Sequence, residues 1–115
     1  MAVKKKSIPK VLMNKISFLY VTAPNLKSAK KMSQILLKEK LIACANLLPG
    51  VNSLYEWKGE MTSNRETLMI LKTPSSKVKK LRQRIEKIHP YEVPCLAEIK
   101  LFSLNQAYAD WLSGK

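Results

Sequence analysis

The chain is short of the residues that enzyme chemistry most often needs, with one histidine, eight acids and three glycines among 115 residues. So few glycines leave no glycine-rich loop to cradle a phosphate. No nucleophile stands beside a base, and no paired carboxylates or open metal site are spelled out, so catalysis is not the expectation. The two cysteines, Cys44 and Cys95, lie far apart without Cys-x-x-Cys spacing. That excludes a disulfide scaffold or zinc knuckle and fits reduced thiols in the cytoplasm. Long apolar runs are missing too: Val11-Leu12-Met13 and Ile16 to Val21 are split by Asn14-Lys15. Both are too short for a signal-peptide core or a membrane span. A single soluble domain is expected, large enough to bury a real core.

Scarce acid leaves a formal net charge of +13. Lys4, Lys5, Lys6, Lys10 and Lys15 make a basic arm over residues 1–15, and Lys77, Lys79, Lys80, Arg82, Arg84 and Lys87 a second block. A phosphate-rich partner and a plain solvated surface are the two readings. Arginine decides between them: there are three among 21 basic residues, and no aromatics interleave the block as base-stacking platforms. Nucleic acid is therefore not the expected partner.

What is present is a regular alternation of patterns. Ile16 to Val21 is β-branched and aromatic and reads as a strand. Asn25 is placed to cap a helix whose apolar stripe is Ala29, Met32, Ile35 and Leu36. Ile42 to Trp57 is extended again, with Pro49-Gly50 marking a bulge or bend. Arg65 to Thr73 makes a third strand, joined to the second by a hairpin across Lys58 to Asn64. Ser75 or Ser76 caps a second helix with Val78, Leu81, Ile85 and Ile88 inward, which stops at Pro90. Pro94 to Phe102 supplies the fourth strand, and a short helix from Asn105 gathers Tyr108, Trp111 and Leu112 on one side. The order predicts an α+β, ferredoxin-like split βαβ domain over residues 16–115: an antiparallel sheet with two helices on one face, plus a short C-terminal helix. Two helices cover one face only, yet Phe18-Leu19-Tyr20-Val21 and Leu68-Met69-Ile70-Leu71 are apolar at successive positions. A half-solvated sheet alternates apolar with polar instead, so a second cover is expected, and a neighbouring subunit is the natural one.

Two runs stand out as a binding wall. His89-Pro90-Tyr91-Glu92-Val93-Pro94 sets an imidazole, a phenol and a carboxylate along a backbone stiffened by two prolines. Ser53-Leu54-Tyr55-Glu56-Trp57-Lys58-Gly59 carries aromatics at alternate positions before a turn. Lys72, at the end of a buried strand, needs a partner, for which Glu92, Glu56 or an anionic ligand qualify. A cleft between subunits lined by Lys72, Tyr91, Glu92, Trp57 and Tyr55 is the candidate site, with Lys72 holding a small anion. His89, just beyond a helix C-terminus, feels the negative end of the macrodipole, which favours its protonated form. With Glu92 it is the candidate metal ligand, the alternative being a helix cap or an interface hydrogen bond. Cys44, between two alanines in an apolar strand, reads as an inert buried thiol.

The same two runs, with Val21-Thr22-Ala23-Pro24, Lys40-Leu41-Ile42-Ala43-Cys44-Ala45-Asn46 and Ile70-Leu71-Lys72-Thr73, resemble the CutA family of divalent-cation-tolerance proteins across roughly residues 16–112. The resemblance implies a tight homotrimer of ferredoxin-like subunits, related in architecture to the PII signalling proteins. It also implies a role linked to copper or other divalent cations; no cofactor is expected to be required, with Cu²⁺ or another divalent cation the candidate ligand. Copper-binding members are thought to use a cysteine just ahead of the Thr-Ala-Pro piece and a histidine pair before the proline. Here Val21 or Tyr20 and Ile88 stand in those places, only His89 matches, and Cys95 stands where the family pattern has glutamate.

Overall fold

Residues 15–114 are described by the computed structural model, so the basic arm expected over 1–15 lies outside them apart from Lys15. In chain order the elements are β1 (Ile16–Ala23), α1 (Leu26–Lys38), β2 (Cys44–Trp57) and β3 (Glu60–Pro74). A 3-10 turn (Ser75–Lys77), α2 (Val78–Ile88), β4 (Leu96–Lys100) and α3 (Gln106–Leu112) follow. The strands form one sheet ordered β2-β3-β1-β4 with every pairing antiparallel, which is the arrangement predicted from the pattern.

Local chemistry explains most boundaries. Asn25 caps α1 as expected, its side chain accepting the Ser28 amide at 2.8 Å. The far end of α1 closes with the Leu41 amide on the Leu36 carbonyl and the Lys40 amide on that of Leu37, the paired bonds of a Schellman stop. Such a stop wants glycine at the left-handed position, yet Lys40 occupies it at φ 60. Neither Ser75 nor Ser76 caps α2 with its side chain; the 3-10 turn leads into the helix instead. The β2–β3 hairpin also differs from expectation. Its turn is Lys58-Gly59 alone, both at positive φ as a two-residue type I′ turn requires, and β3 starts at Glu60. The polar stretch from Thr62 to Asn64 is strand because this arm is exposed, so no apolar alternation marks it. Pro49-Gly50 makes the expected bulge, shifting the register between Leu48 and Val51. The arm stretches the described residues to 58 × 29 × 22 Å.

The core lies between the sheet and the two long helices. Leu19, Val21, Met69 and Leu71 face Ala29, Met32 and Leu36 of α1 and Val78, Leu81 and Ile85 of α2, all buried. Among the described residues the opposite face is covered at one end only, where Ala109 and Leu112 of α3 pack on Ile16 with Phe18, Cys44 and Tyr108 around them. Cys44 is half-buried there, less enclosed than the sequence pattern implies. Beyond α3 the face is open: Leu48 and Ile99 are each 45% exposed, and Tyr20, Leu68 and Ile70 are half-buried.

Candidate functional site

At the base of the hairpin arm, the loop after α2 meets β1 and β3. α2 stops because Pro90 holds His89 extended, at φ −73 and ψ 138. The His89 ring then turns inward, leaving the residue 8% exposed. Its Nε2 donates to the Thr22 carbonyl at 2.8 Å, and its Nδ1 accepts the Tyr91 amide at 2.9 Å. Thr22 lies one residue beyond the last β1–β4 pair, Val21 with Leu96, so the ring satisfies backbone that β4 does not reach. These two bonds fix a neutral Nε2–H tautomer. Burial pushes the His89 pKa below its ordinary value, against the opposing pulls of the Thr22 carbonyl and the Glu66 charge. The macrodipole argument pointed to a protonated ring. Desolvation wins because the ring is enclosed, and the Tyr91 amide offers it a hydrogen where an imidazolium needs an acceptor.

Tyr91 extends the network. Its ring lies 4.9 Å from that of His89, and its hydroxyl donates to Glu66 Oε2 at 2.5 Å. Burial first, then the Glu66 hydrogen bond and charge, push the Tyr91 phenol up to about 12. Tyr55 lies close by, its hydroxyl accepting from Asn64 Nδ2 at 2.7 Å. Glu66 and Asn64 were not anticipated from the sequence. Their signal was there: counted from Leu68 by twos along β3, both fall on the open face of the sheet, where a lone carboxylate invites a donor.

The expected cleft is only partly assembled in one chain. Tyr91 bonds Glu66 and lies within the electrostatic reach of Tyr55, whereas Glu92 is exposed and Trp57 stands at the hairpin tip, 61% exposed. Lys72 is elsewhere. Trp57 pairs with Glu60, and Lys72 lies twelve residues further along β3, a distance of roughly 40 Å in extended chain. Its partner is neither Glu92 nor Glu56. Lys72 Nζ donates to the Tyr108 hydroxyl at 3.1 Å and sits 5.2 Å from the ring centroids of both Phe18 and Tyr108. The lysine is thus satisfied by α3 through a hydrogen bond and two cation–π contacts.

The metal test is equally concrete. Both His89 nitrogens are engaged. Among the described residues no three or more His, Cys, Asp or Glu side chains converge as a metal would need. Cys95 is exposed, and Glu92, three residues earlier, makes no contact with His89 among the hydrogen bonds found.

Fold and site together define a class of protein: a ferredoxin-like α+β domain with one sheet face open among the described residues and a protruding hairpin whose base carries a hydrogen-bonded polar cluster. Residues 17–115 match the CutA1 divalent ion tolerance protein family, and the chain belongs to that family. It is 43% identical over 94 residues to the divalent-cation tolerance protein CutA of Thermococcus kodakarensis, covering 82% of this chain and 89% of that one. It is 35% identical over 107 residues to the chloroplastic protein CutA of Arabidopsis thaliana, covering 93% of this chain but 56% of that protein's length. The crystal structure of the divalent ion tolerance protein CutA1 from Ehrlichia chaffeensis superimposes with a TM-score of 0.84 at 39% identity, covering 87% of this chain and 94% of that one. The Thermococcus and Ehrlichia proteins are named for divalent-cation or divalent ion tolerance. No helix among the described residues is long and apolar enough to cross a membrane.

Proposed function

We propose that the chain acts as a closed homotrimer in the cytoplasm. Its part in divalent-cation tolerance is to recognise an ion or small ligand where copies meet, without catalysing a reaction. The observation that carries this reading is the open apolar face, with Tyr20, Leu68 and Ile70 half-buried and Leu48 and Ile99 exposed among the described residues of one chain. At roughly 25 cal/mol per Å² of apolar surface, covering those side chains supplies several kcal/mol to association. The hairpin arm, with Leu54, Tyr55, Trp57 and Met61 exposed, is the element long enough to reach a neighbour. Tyr91, Glu66 and Tyr55 then lie at the boundary, with Glu92 free to face an incoming group. Mass in solution tests the assembly: a trimer at low micromolar protomer is the expected result, and a folded monomer there refutes it.

A second reading, a trimeric scaffold whose metal link is indirect, is favoured by the engagement of both His89 nitrogens. Calorimetric titration of Cu²⁺ into wild type, His89→Ala and Glu92→Gln separates the two. Stoichiometric binding lost in Glu92→Gln supports direct recognition at the boundary. Equal, weak heats in all three support the scaffold.

A further inference from the structure

At the end of the sheet opposite the hairpin arm lies a recess of about 890 Å³, remote from the Tyr91–Glu66 cluster and sharing no residue with it. It is framed by the end of α1, the 3-10 turn before α2 and the end of α3. Lys15, Lys40 and Lys77 line it, and among the described residues no acidic side chain does. The acid nearest in sequence, Glu39, is turned onto Arg84 through two 2.8 Å bonds and does not neutralise its neighbour Lys40. Asp110, beside Trp111, accepts from Gln106 instead. Three lysines lining one recess with no acidic side chain among the described residues make a local positive field that an anion relieves.

Two features place these lysines with unusual firmness. Lys40 holds the left-handed position of the helix stop, which glycine fills with less strain. Its carbonyl accepts Lys77 Nζ at 2.8 Å, which anchors the second ammonium and leaves two of its three hydrogens to donate elsewhere. The remaining wall is mixed, with serines beside an apolar part in which Trp111 is 57% and Leu37 43% exposed and Ile42 is buried. Ser76 adds an exposed hydroxyl beside the cations. A cationic end against an indole wall is suited to a ligand with a doubly charged head and a flat apolar body.

We propose that this recess binds small phosphate monoesters carrying an aromatic body, with Lys40 and Lys77 holding the phosphate and Trp111 packing against the ring. The test uses the full chain with Trp57→Phe, which leaves Trp111 as the sole indole. Phenyl phosphate is titrated while Trp111 fluorescence is followed. Expected is a saturable change, weakened at least tenfold by Lys40→Ala and by Lys77→Gln, weakened by added salt, and unaltered by Lys87→Ala on the exposed side of α2. Circular dichroism and solution mass of each variant confirm that fold and assembly are retained. The proposal is overturned if no saturable change occurs, if Lys87→Ala weakens binding as much as Lys77→Gln, or if benzoate binds as tightly as phenyl phosphate. The first result means the recess is empty of function, the second that bulk charge suffices, and the third that the dianion is not what is read.

Discussion

Removing the His89 ring tests the electrostatics of the hairpin base more sharply than any metal titration. His89→Ala deletes one acceptor and one donor, leaving the Thr22 carbonyl and the Tyr91 amide without the partners they hold at 2.8 and 2.9 Å. At about 1 kcal/mol for each bond, with a further contribution from the buried ring, the variant is expected to lose roughly 2–4 kcal/mol at pH 8. The pH dependence carries the decisive sign. In the unfolded chain the imidazole titrates near 6.5, and in the fold burial lowers that value. Between the two values the unfolded state binds a proton that the native state refuses, so stability is complete above 6.5 and declines as pH falls toward the folded value. One proton sets the ceiling, a slope of about 1.4 kcal/mol per pH unit. His89→Ala lacks this dependence. The gap between wild type and variant must therefore narrow from pH 8 to pH 5.

Urea denaturation at one fixed protomer concentration measures that gap, since mass action contributes to the stability of any assembly. The charged groups that face the ring enter the same experiment, Glu66 through Tyr91 being the carboxylate that favours protonation. In a Glu66→Gln background the gap should narrow more steeply, because the one opposing charge is gone. A gap that is constant with pH, or that widens on acidification, refutes the reasoning. Widening would mean that the macrodipole at the end of α2 outweighs desolvation.

Tyr91 should be the late-ionising phenol, titrating near 12 by ultraviolet absorbance. Its stabilising effect is complete below 10 and is lost as pH rises through about 12. Glu66→Gln should lower that value toward 10 without reaching it, since burial is the larger cause; an unchanged titration would break the assignment. Lys40→Gly relieves a left-handed lysine at φ 60, and after the entropy of glycine in the unfolded chain is subtracted a gain of about 0.5–1 kcal/mol is expected by urea titration. The same change should weaken phenyl phosphate binding, so that stability and affinity move in opposite directions. Ile70→Glu, at the centre of the open face, should shift the solution mass to that of one chain while circular dichroism is retained. An undisturbed trimer would place the contact elsewhere.

The sheet and its helices were legible in the sequence because their periods are enforced by one core. Leu19, Val21, Met69 and Leu71 alternate on the strands while Met32, Leu36, Leu81 and Ile85 recur at helical spacing against them. The hairpin arm was read short because nothing buries it, so Thr62 to Asn64 carry no apolar signature of a strand. The site was half-legible. Tyr91, Tyr55 and His89 stood out as chemistry-bearing residues, but Glu66 and the Thr22 carbonyl, the partners of Tyr91 and His89, lie far off in sequence, and Asn64 meets Tyr55 only through the register of the β2–β3 hairpin. Lys72 was recognised as needing a partner, and its solution, Tyr108, arrives from a helix 36 positions away.

Register also ties the open face to the polar cluster. Successive cross-strand rows on that face are Cys44, Lys72, Phe18 and Ile99; then Asn46, Ile70, Tyr20 and Ala97; then Leu48, Leu68 and Thr22. Tyr108 of α3 reaches the first row through Lys72 and Phe18. Neither of the other rows contacts α3 in the clusters that bury its Ala109 and Leu112. Two residues further along β3 stands Glu66, then Asn64, which holds Tyr55. Because side chains alternate strictly, these polar groups share the face of Leu68 and Ile70. A copy that packs on the second and third rows necessarily ends beside Glu66 and Tyr91. A neighbour there would add burial to a phenol that one chain already raises to about 12, so a substitution such as Ile70→Glu that opens the interface should leave Tyr91 titrating near that value by ultraviolet absorbance; a fall to 10 would refute the assignment to Glu66 and the chain's own fold.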